Sequence, residues 1–83
     1  MSLLSIRSAQ PEDAQALHAL ATVDSVPPLS GEILVAELDG TAIAAVSLMD
    51  GRVIADPFRR SADTVEILRL RARQELGARP VAA

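Results

Sequence analysis

Residues 32–57 read EILVAELDGTAIAAVSLMDGRVIADP, and this stretch decides the fold. Apolar runs alternate with two Asp-Gly pairs, at 39–40 and at 50–51. Asp-Gly between apolar runs is a strong signal for a two-residue β-hairpin, because glycine supplies the positive φ that the turn needs. The stretch therefore predicts an antiparallel meander of three strands, ended by Asp-Pro at 56–57. The predicted strands are 32–38, 41–49 and 52–55.

The middle strand is apolar on both of its faces. Alternation of side chains places Ile43 and Ala45 on one face of the sheet and Ala44, Val46 and Leu48 on the other. Since two apolar faces must both be covered, we expect a layer on each side of the sheet.

The flanking segments supply one more strand and two helices. Residues 3–7 predict a strand, and a helix over 11–23 begins with Pro11, which suits the first helical position. A helix over 62–76 follows Ser61, a residue that favours the N-cap. The order β-α-β-β-β-α is that of an α+β domain.

With 83 residues, the chain can build one small core. We expect a single domain over 1–83, with an ordered core at about 3–77 and a flexible tail at 78–83. Phe58 is the only aromatic residue, so aliphatic side chains and alanine must fill the interior. The predicted core residues are Leu17, Leu20, Ile33, Val35, Ile43, Val46, Ile54, Val65 and Leu68.

Composition excludes several kinds of site. There is no cysteine, so a disulfide and a thiolate metal site are both excluded, and all eight basic residues are arginine, which excludes a lysine nucleophile. One histidine and no close acidic triplet cannot satisfy zinc or calcium spacing. No apolar run approaches membrane-spanning length, and the N-terminus lacks the basic and apolar regions of a signal peptide. We therefore expect a cytoplasmic protein that does not contact membranes.

The opening IRSAQPEDAQALHALA, residues 6–21, resembles the first half of the GNAT acyltransferase superfamily. Members open with a strand ending in I-R-x-A, a helix beginning P-E-D-A, and a meander that bears a D-G hairpin. The resemblance covers about residues 3–76, which is half of the family fold. It implies that the helix after the fourth strand binds the pyrophosphate of acetyl-coenzyme A with its N-terminus.

The chain departs from the family at the cofactor motif, Q/R-x-x-G-x-G/A. The matching residues 56–67, DPFRRSADTVEI, contain no glycine, and Asp63 adds a negative charge beside a negative ligand. The family's later half and its general-acid tyrosine have no counterpart here. We expect acetyl-coenzyme A to bind weakly or not at all, and we assign no catalytic residue. By the resemblance, pantetheine would lie on the backbone of Val53, Ile54 and Ala55, and the pyrophosphate on Arg59, Arg60 and Ser61.

Two side chains are weaker candidates for a general base. His18 flanks the apolar stripe of the first helix, where we expect it to reach solvent. Glu37 lies in the second strand, where a base of the GNAT type could sit, but we expect it to face solvent as well.

The last helix is apolar on two sides. Val65, Leu68, Ala72 and Leu76 form one stripe, and Ile67 and Leu70 fall on the opposite side. Because a second apolar side needs a second partner and strand edges invite pairing, we expect a homodimer.

The preferred interpretation is a GNAT-like half-domain that self-associates, as a scaffold or regulator, without acyl transfer. One alternative is a minimal acetyl-coenzyme A-dependent N-acyltransferase whose site is completed by oligomerisation. A third is a binding module that uses its arginine-rich last helix, since residues 59–83 hold six arginines against three acids while residues 1–58 hold two against eight. The near absence of aromatic residues argues against nucleic acid.

Overall fold

The computed structural model describes residues 3–59 and 61–78. Within them lie four strands: β1 (Leu4–Ser8), β2 (Ile33–Leu38), β3 (Thr41–Ser47) and β4 (Val53–Ala55). A 3-10 turn, Pro11–Asp13, leads into helix α1 (Ala14–Val23), and helix α2 spans Ala62–Ala78. The strands form one antiparallel sheet in the order β1-β2-β3-β4. The predicted α+β class and the element order β-α-β-β-β-α are confirmed.

The hairpin between β2 and β3 has the predicted two-residue turn. Asp39 and Gly40 have φ values of 52° and 84°, and Leu38 pairs with Thr41 across the turn. Positive φ at both central residues is typical of a type I′ turn, whose twist matches that of the flanking strands.

The predicted two-residue turn at 50–51 is wrong. β3 ends at Ser47, and residues 48–52 link it to β4. The Leu48 N–H donates to the Glu32 carbonyl at 2.8 Å, and the Ser47 hydroxyl accepts from the Met49 N–H at 3.1 Å. The Ser47 N–H donates to the Arg52 carbonyl and the Gly51 N–H donates to the Ser47 carbonyl, both at 2.9 Å, so the chain reverses direction over residues 48–51 instead of over two residues.

A bulge interrupts the pairing of β2 with β3. Ala36 faces Ala44 while Glu37 faces Ala42, so Ile43 is an extra residue on β3. Ile43 is buried, but Ala42 takes its place on the face that α1 covers. Simple alternation therefore describes β3 only from Ala44 onward.

Each helix covers one face of the sheet, as predicted. The only aromatic residue, Phe58, is 87% exposed, so both cores consist of aliphatic residues and alanine. The cluster under α2 comprises Leu34, Ala36, Ala44, Val46, Leu48, Leu68 and Ala72. The cluster under α1 comprises Leu20, Ala21, Val35, Ala45 and Ile54.

Six of the nine predicted core residues are buried. Leu17, Ile33 and Val65 are only half-buried, because they pack against the margins of the two clusters. Leu76 was assigned to the core stripe of α2 but is largely exposed, one turn beyond Ala72, the last α2 residue in the cluster.

Two further expectations concern the C-terminal tail and the membrane. α2 continues to Ala78, the first residue of the predicted tail, and residues 79–83 lie outside the described part. Among residues 3–59 and 61–78, neither helix combines the length and the apolar content needed to span a bilayer.

Candidate functional site

The residues predicted to hold pantetheine form β4, at one edge of the sheet. Ile54 is fully buried in the cluster under α1, and Val53 and Ala55 pack against the cluster under α2. The Arg52 carbonyl accepts from the Ser47 N–H, and the Asp56 N–H donates to the Ile43 carbonyl. Because strand residues alternate, the backbone groups of Val53 and Ala55 therefore point away from β3, toward the free edge.

Part of that edge is already occupied. The Ala55 N–H donates to Oδ2 of Asp24 at 3.1 Å. Asp24 lies at the end of α1, and the chain turns directly after it at Ser25, which has a φ of 57°. A carboxylate from the chain itself thus takes one of the donors that a pantetheine carbonyl would use.

The residues predicted to hold a pyrophosphate lie before α2. Nε of Arg59 lies 3.5 Å from Oδ2 of Asp56, so a neighbouring carboxylate offsets its charge. Ser61 is buried, and its carbonyl accepts the Val65 N–H in the first turn of the helix. Arg60 lies outside the described residues. Asp63 lies in the first turn of α2, where its negative charge disfavours a bound anion.

A charged cluster that sequence reasoning missed joins three elements. Two nitrogens of the Arg7 guanidinium donate to the two oxygens of the Asp13 carboxylate at 2.7 and 2.8 Å, and Nε donates to Glu37 at 2.8 Å. Asp13 also accepts the Gln10 N–H at 2.6 Å. The cluster ties β1 to β2 and to the turn that begins α1, in the two-pronged geometry that makes Arg–carboxylate pairs strong.

Hydrogen bonding shifts the pKa values of Arg7 and Asp13. The hydrogen bonds from Arg7, and next that from the Gln10 N–H, lower the pKa of Asp13 well below its usual range. The same bonds, first to Asp13 and then to Glu37, raise the pKa of Arg7 further. The expectation that Glu37 faces solvent is wrong: it is half-buried and paired with Arg7. Oε1 of Glu37 accepts from Nε of Arg7, so this carboxylate is engaged within the cluster and we do not assign it as a general base.

His18 reaches solvent, as expected, beside a cavity of about 470 Å³ between α1 and the loop before β2. The residues that line this cavity include no carboxylate to orient the imidazole. In the part of the chain that the structure describes, no three His, Cys, Asp or Glu side chains come close enough to hold a metal ion.

The outer face of α2 carries the predicted self-association residues. Ile67 and Leu70 are 41% and 47% exposed. With four charged residues they line a shallow depression on the helix surface. Among the described residues, no ion pair involves any of these four. The four are Asp63, Glu66, Arg69 and Arg73.

The chain matches no family model, no curated protein and no solved structure. The motif residues quoted above are therefore all that carries the likeness to the GNAT superfamily. The site with the clearest physical character is the outer face of α2, where apolar side chains and unpaired charges alternate along one exposed stripe.

Proposed function

We propose that this chain is a small self-associating domain, a scaffold or regulator that transfers no acyl group, and that it forms a homodimer through the outer face of α2. The observation that carries the proposal is the exposed apolar pair Ile67 and Leu70. Neighbouring apolar side chains that are left exposed on one helix face favour contact with another apolar surface.

A second copy of the chain suits this face because the face is complementary to itself. If two α2 helices pack antiparallel about a two-fold axis between Ile67 and Leu70, each Ile67 lies opposite Leu70 of the second copy. Glu66 and Arg73 lie on the same flank of the helix, on opposite sides of that axis. At 1.5 Å per residue, Glu66 then lies about 3 Å along the helix axis from Arg73 of the second copy. The pairing brings opposite charges together twice.

Contacts within the chain at β4 and in the loop before α2 support the non-catalytic part of the proposal. The Ala55 N–H is bonded to Asp24, and Arg59 is paired with Asp56. A pyrophosphate cradle needs several convergent N–H donors, and the glycines that let a backbone approach the phosphates are missing here. Arg59 and Arg60 precede α2 in the sequence. Arginines near a helix N-terminus supply about 1 kcal/mol each, and the total of about 2 kcal/mol corresponds to a dissociation constant on the order of tens of millimolar.

Light scattering tests the dimer. We expect the wild-type chain to have twice its mass of 8.7 kDa at tens of micromolar. Leu70→Asp places a charge in the contact and should weaken association by ~30-fold or more, the effect of losing a central apolar contact. Leu76→Asp is the matched control: Leu76 is 48% exposed on the same helix but on a different side, so this variant should stay dimeric. A monomeric wild type, or two variants of equal mass, would contradict the assignment of this face.

Calorimetric titration with acetyl-coenzyme A tests the non-catalytic part. We expect a dissociation constant in the millimolar range and no acetyl transfer to amines. A constant below about 50 μM would overturn this part of the proposal. A loss of that binding in an Arg59→Ala variant would then favour the acyltransferase alternative.

A further inference from the structure

The outer edge of β1 presents unpaired backbone groups. The Leu3 carbonyl accepts the Asp39 N–H at 2.9 Å, and the Ala9 N–H donates to the Ile33 carbonyl at 2.8 Å, so both ends of this strand bond to β2 and its turn. By alternation Ser5 and Arg7 also face β2. The residues whose backbone faces outward are Leu4, Ile6 and Ser8.

Little from the chain itself covers this edge. Among the described residues, one hydrogen bond reaches an outward backbone group of β1: Nη1 of Arg7 donates to the Ser8 carbonyl at 3.2 Å. The helices pack mainly on β2, β3 and β4. β1 contains no proline, and its pairing with β2 shows no bulge. Proteins ordinarily protect exposed sheet edges with proline residues or β-bulges. An edge without them can pair with a strand from another chain.

We infer that β1 is a second self-pairing surface: β1 of one copy pairs antiparallel with β1 of another, and two four-stranded sheets become one of eight strands. The inference rests on the proposed self-association and extends it to a surface separate from the outer face of α2. Assembly through both surfaces leads beyond a dimer, because each is used by a different pair of copies.

The register of this pairing follows from which residues face outward. With a two-fold axis at Ile6, each Ile6 faces its equivalent and each Leu4 faces Ser8 of the second copy. All six residues direct their N–H and C=O groups to the seam, so about six backbone hydrogen bonds form. Two of them form at the Ser8 carbonyls, each of which also accepts from Nη1 of Arg7 and uses its second lone pair for the partner strand.

The distribution of charge along β1 is compatible with a second copy of the chain as the partner. Arg7 is the only charged side chain of β1, and in this register it lies opposite Ser5 of the second copy. It is already paired with Asp13 and Glu37 within its own chain. No like charges therefore lie directly opposite each other across the seam.

The opposite edge of the sheet is unsuited to this role. β4 has three residues where β1 has five. Of its two outward-facing residues, Ala55 gives its N–H to Asp24. A partner strand at β4 would have to displace a carboxylate for fewer hydrogen bonds in return.

Variants that separate the two surfaces test the inference. We expect the wild-type chain to exceed dimer mass near millimolar concentration and Leu70→Asp to remain a dimer there, held through β1. Adding Ser8→Pro should give a monomer, since proline removes an outward N–H that the chain's own ladder does not use. Adding Ser8→Ala instead is the matched control and should leave the dimer intact. Circular dichroism checks that each variant is folded.

Hydrogen exchange gives a readout that needs no change in β1. In Leu70→Asp, protection of the Ile6 amide should rise ~10-fold or more between about 10 μM and 1 mM protein, while the outward Val53 amide of β4 should not change. The same measurement decides the matter if Ser8→Pro does not fold.

The outcomes distinguish the two proposals. If Leu70→Asp is monomeric and its Ile6 amide exchanges at one rate throughout, the inference about β1 is overturned and the contact at α2 stands. If Leu70→Asp matches the wild type and Ser8→Pro alone gives monomers, β1 is the interface and the assignment of α2 is overturned. A wild-type monomer whose Ile6 exchange does not depend on concentration overturns both.

Discussion

β3 and β1 belong to one sheet, two positions apart, and they differ in how far their residues are buried. From Ile43 to Ser47 every residue of β3 is buried, whereas no residue of β1 is. Both helices pack on β3, so apolar side chains meet it from either face. β1 is held by its ladder with β2 and by the ion pairs of Arg7.

This difference separates stability from association. A strand covered on both faces and paired on both edges contributes to the free energy of unfolding and has no surface left for a partner. A strand paired on one edge and held by charges adds less to that free energy and keeps one side of its backbone available. The same sheet thus holds its core at one position and a free edge at another.

The largest expected change in the free energy of unfolding tests whether the packing of the helices on β3 dominates stability. Leu68 of α2 is fully buried in the cluster on the α2 side of the sheet, and Leu68→Ala should lower the free energy of unfolding by ~2–5 kcal/mol. Leu4→Ala on β1 is the control and should cost less than about 1 kcal/mol. Urea unfolding at a concentration where the chain is monomeric measures both. Equal losses for the two variants would remove the contrast between the strands.

A smaller change in stability is expected from a substitution that compares the β4 edge of the sheet with the β1 edge. Asp24→Ala removes the acceptor of the Ala55 N–H and should cost about 1 kcal/mol, since a half-buried donor loses its partner. It should also speed exchange of the Ala55 amide, which makes the β4 edge more like that of β1. Asp24→Asn keeps an acceptor oxygen and should fall between the wild type and the alanine variant. An unchanged Ala55 exchange rate in Asp24→Ala would show that Asp24 does not close this edge.

The smallest effect concerns the charges that hold β1. The pKa of Asp13 is lower in the folded chain than in the unfolded chain, where it is about 3.9. The unfolded state therefore binds more protons, and the contribution of Asp13 to stability is complete above about pH 5 and is lost as the pH falls through about 4 toward the folded value. Unfolding measured across this range should show a steeper loss in the wild type than in Asp13→Asn.

Glu12→Gln provides the control for this experiment. Glu12 lies beside Asp13, and in the described part of the chain it takes part in no ion pair. This variant should keep the wild-type dependence on pH. If Asp13→Asn keeps it too, Arg7 and Asp13 do not secure β1 in the way proposed.

Local patterns predicted the meander well where neighbours in sequence decide the structure. Asp39 and Gly40 form their turn through their own backbone angles, so the pair can be recognised directly. The pair at 50–51 carries the same signal, but the Leu48 N–H and the Ser47 hydroxyl bond to the carbonyls of Glu32 and Ser30. Those partners lie 16 and 17 residues earlier, beyond the reach of any turn rule, and they join this end of β3 to the chain before β2.

The candidate sites also differ in whether local patterns could predict them. Helical periodicity was enough to place Ile67 and Leu70 on a different side of α2 from Leu68, and both are exposed. Nothing in the spacing of Arg7, Asp13 and Glu37 indicates that they meet, although the first two lie in the motifs that resemble the GNAT opening. The bond from Ala55 to Asp24 spans 31 positions and has no short-range signal either.

The sequence by itself therefore determined the order of the elements, the need to cover both faces of the sheet, and the apolar outer side of α2. These depend on periodicities of two and 3.6 residues and on turn residues, which act within a few positions of the chain. Only the tertiary structure decided that Asp24 occupies part of the β4 edge and that little among the described residues covers β1, because strand register and the placement of α1 bring distant residues to the same edge. The free edge of β1 is a property of the assembled sheet.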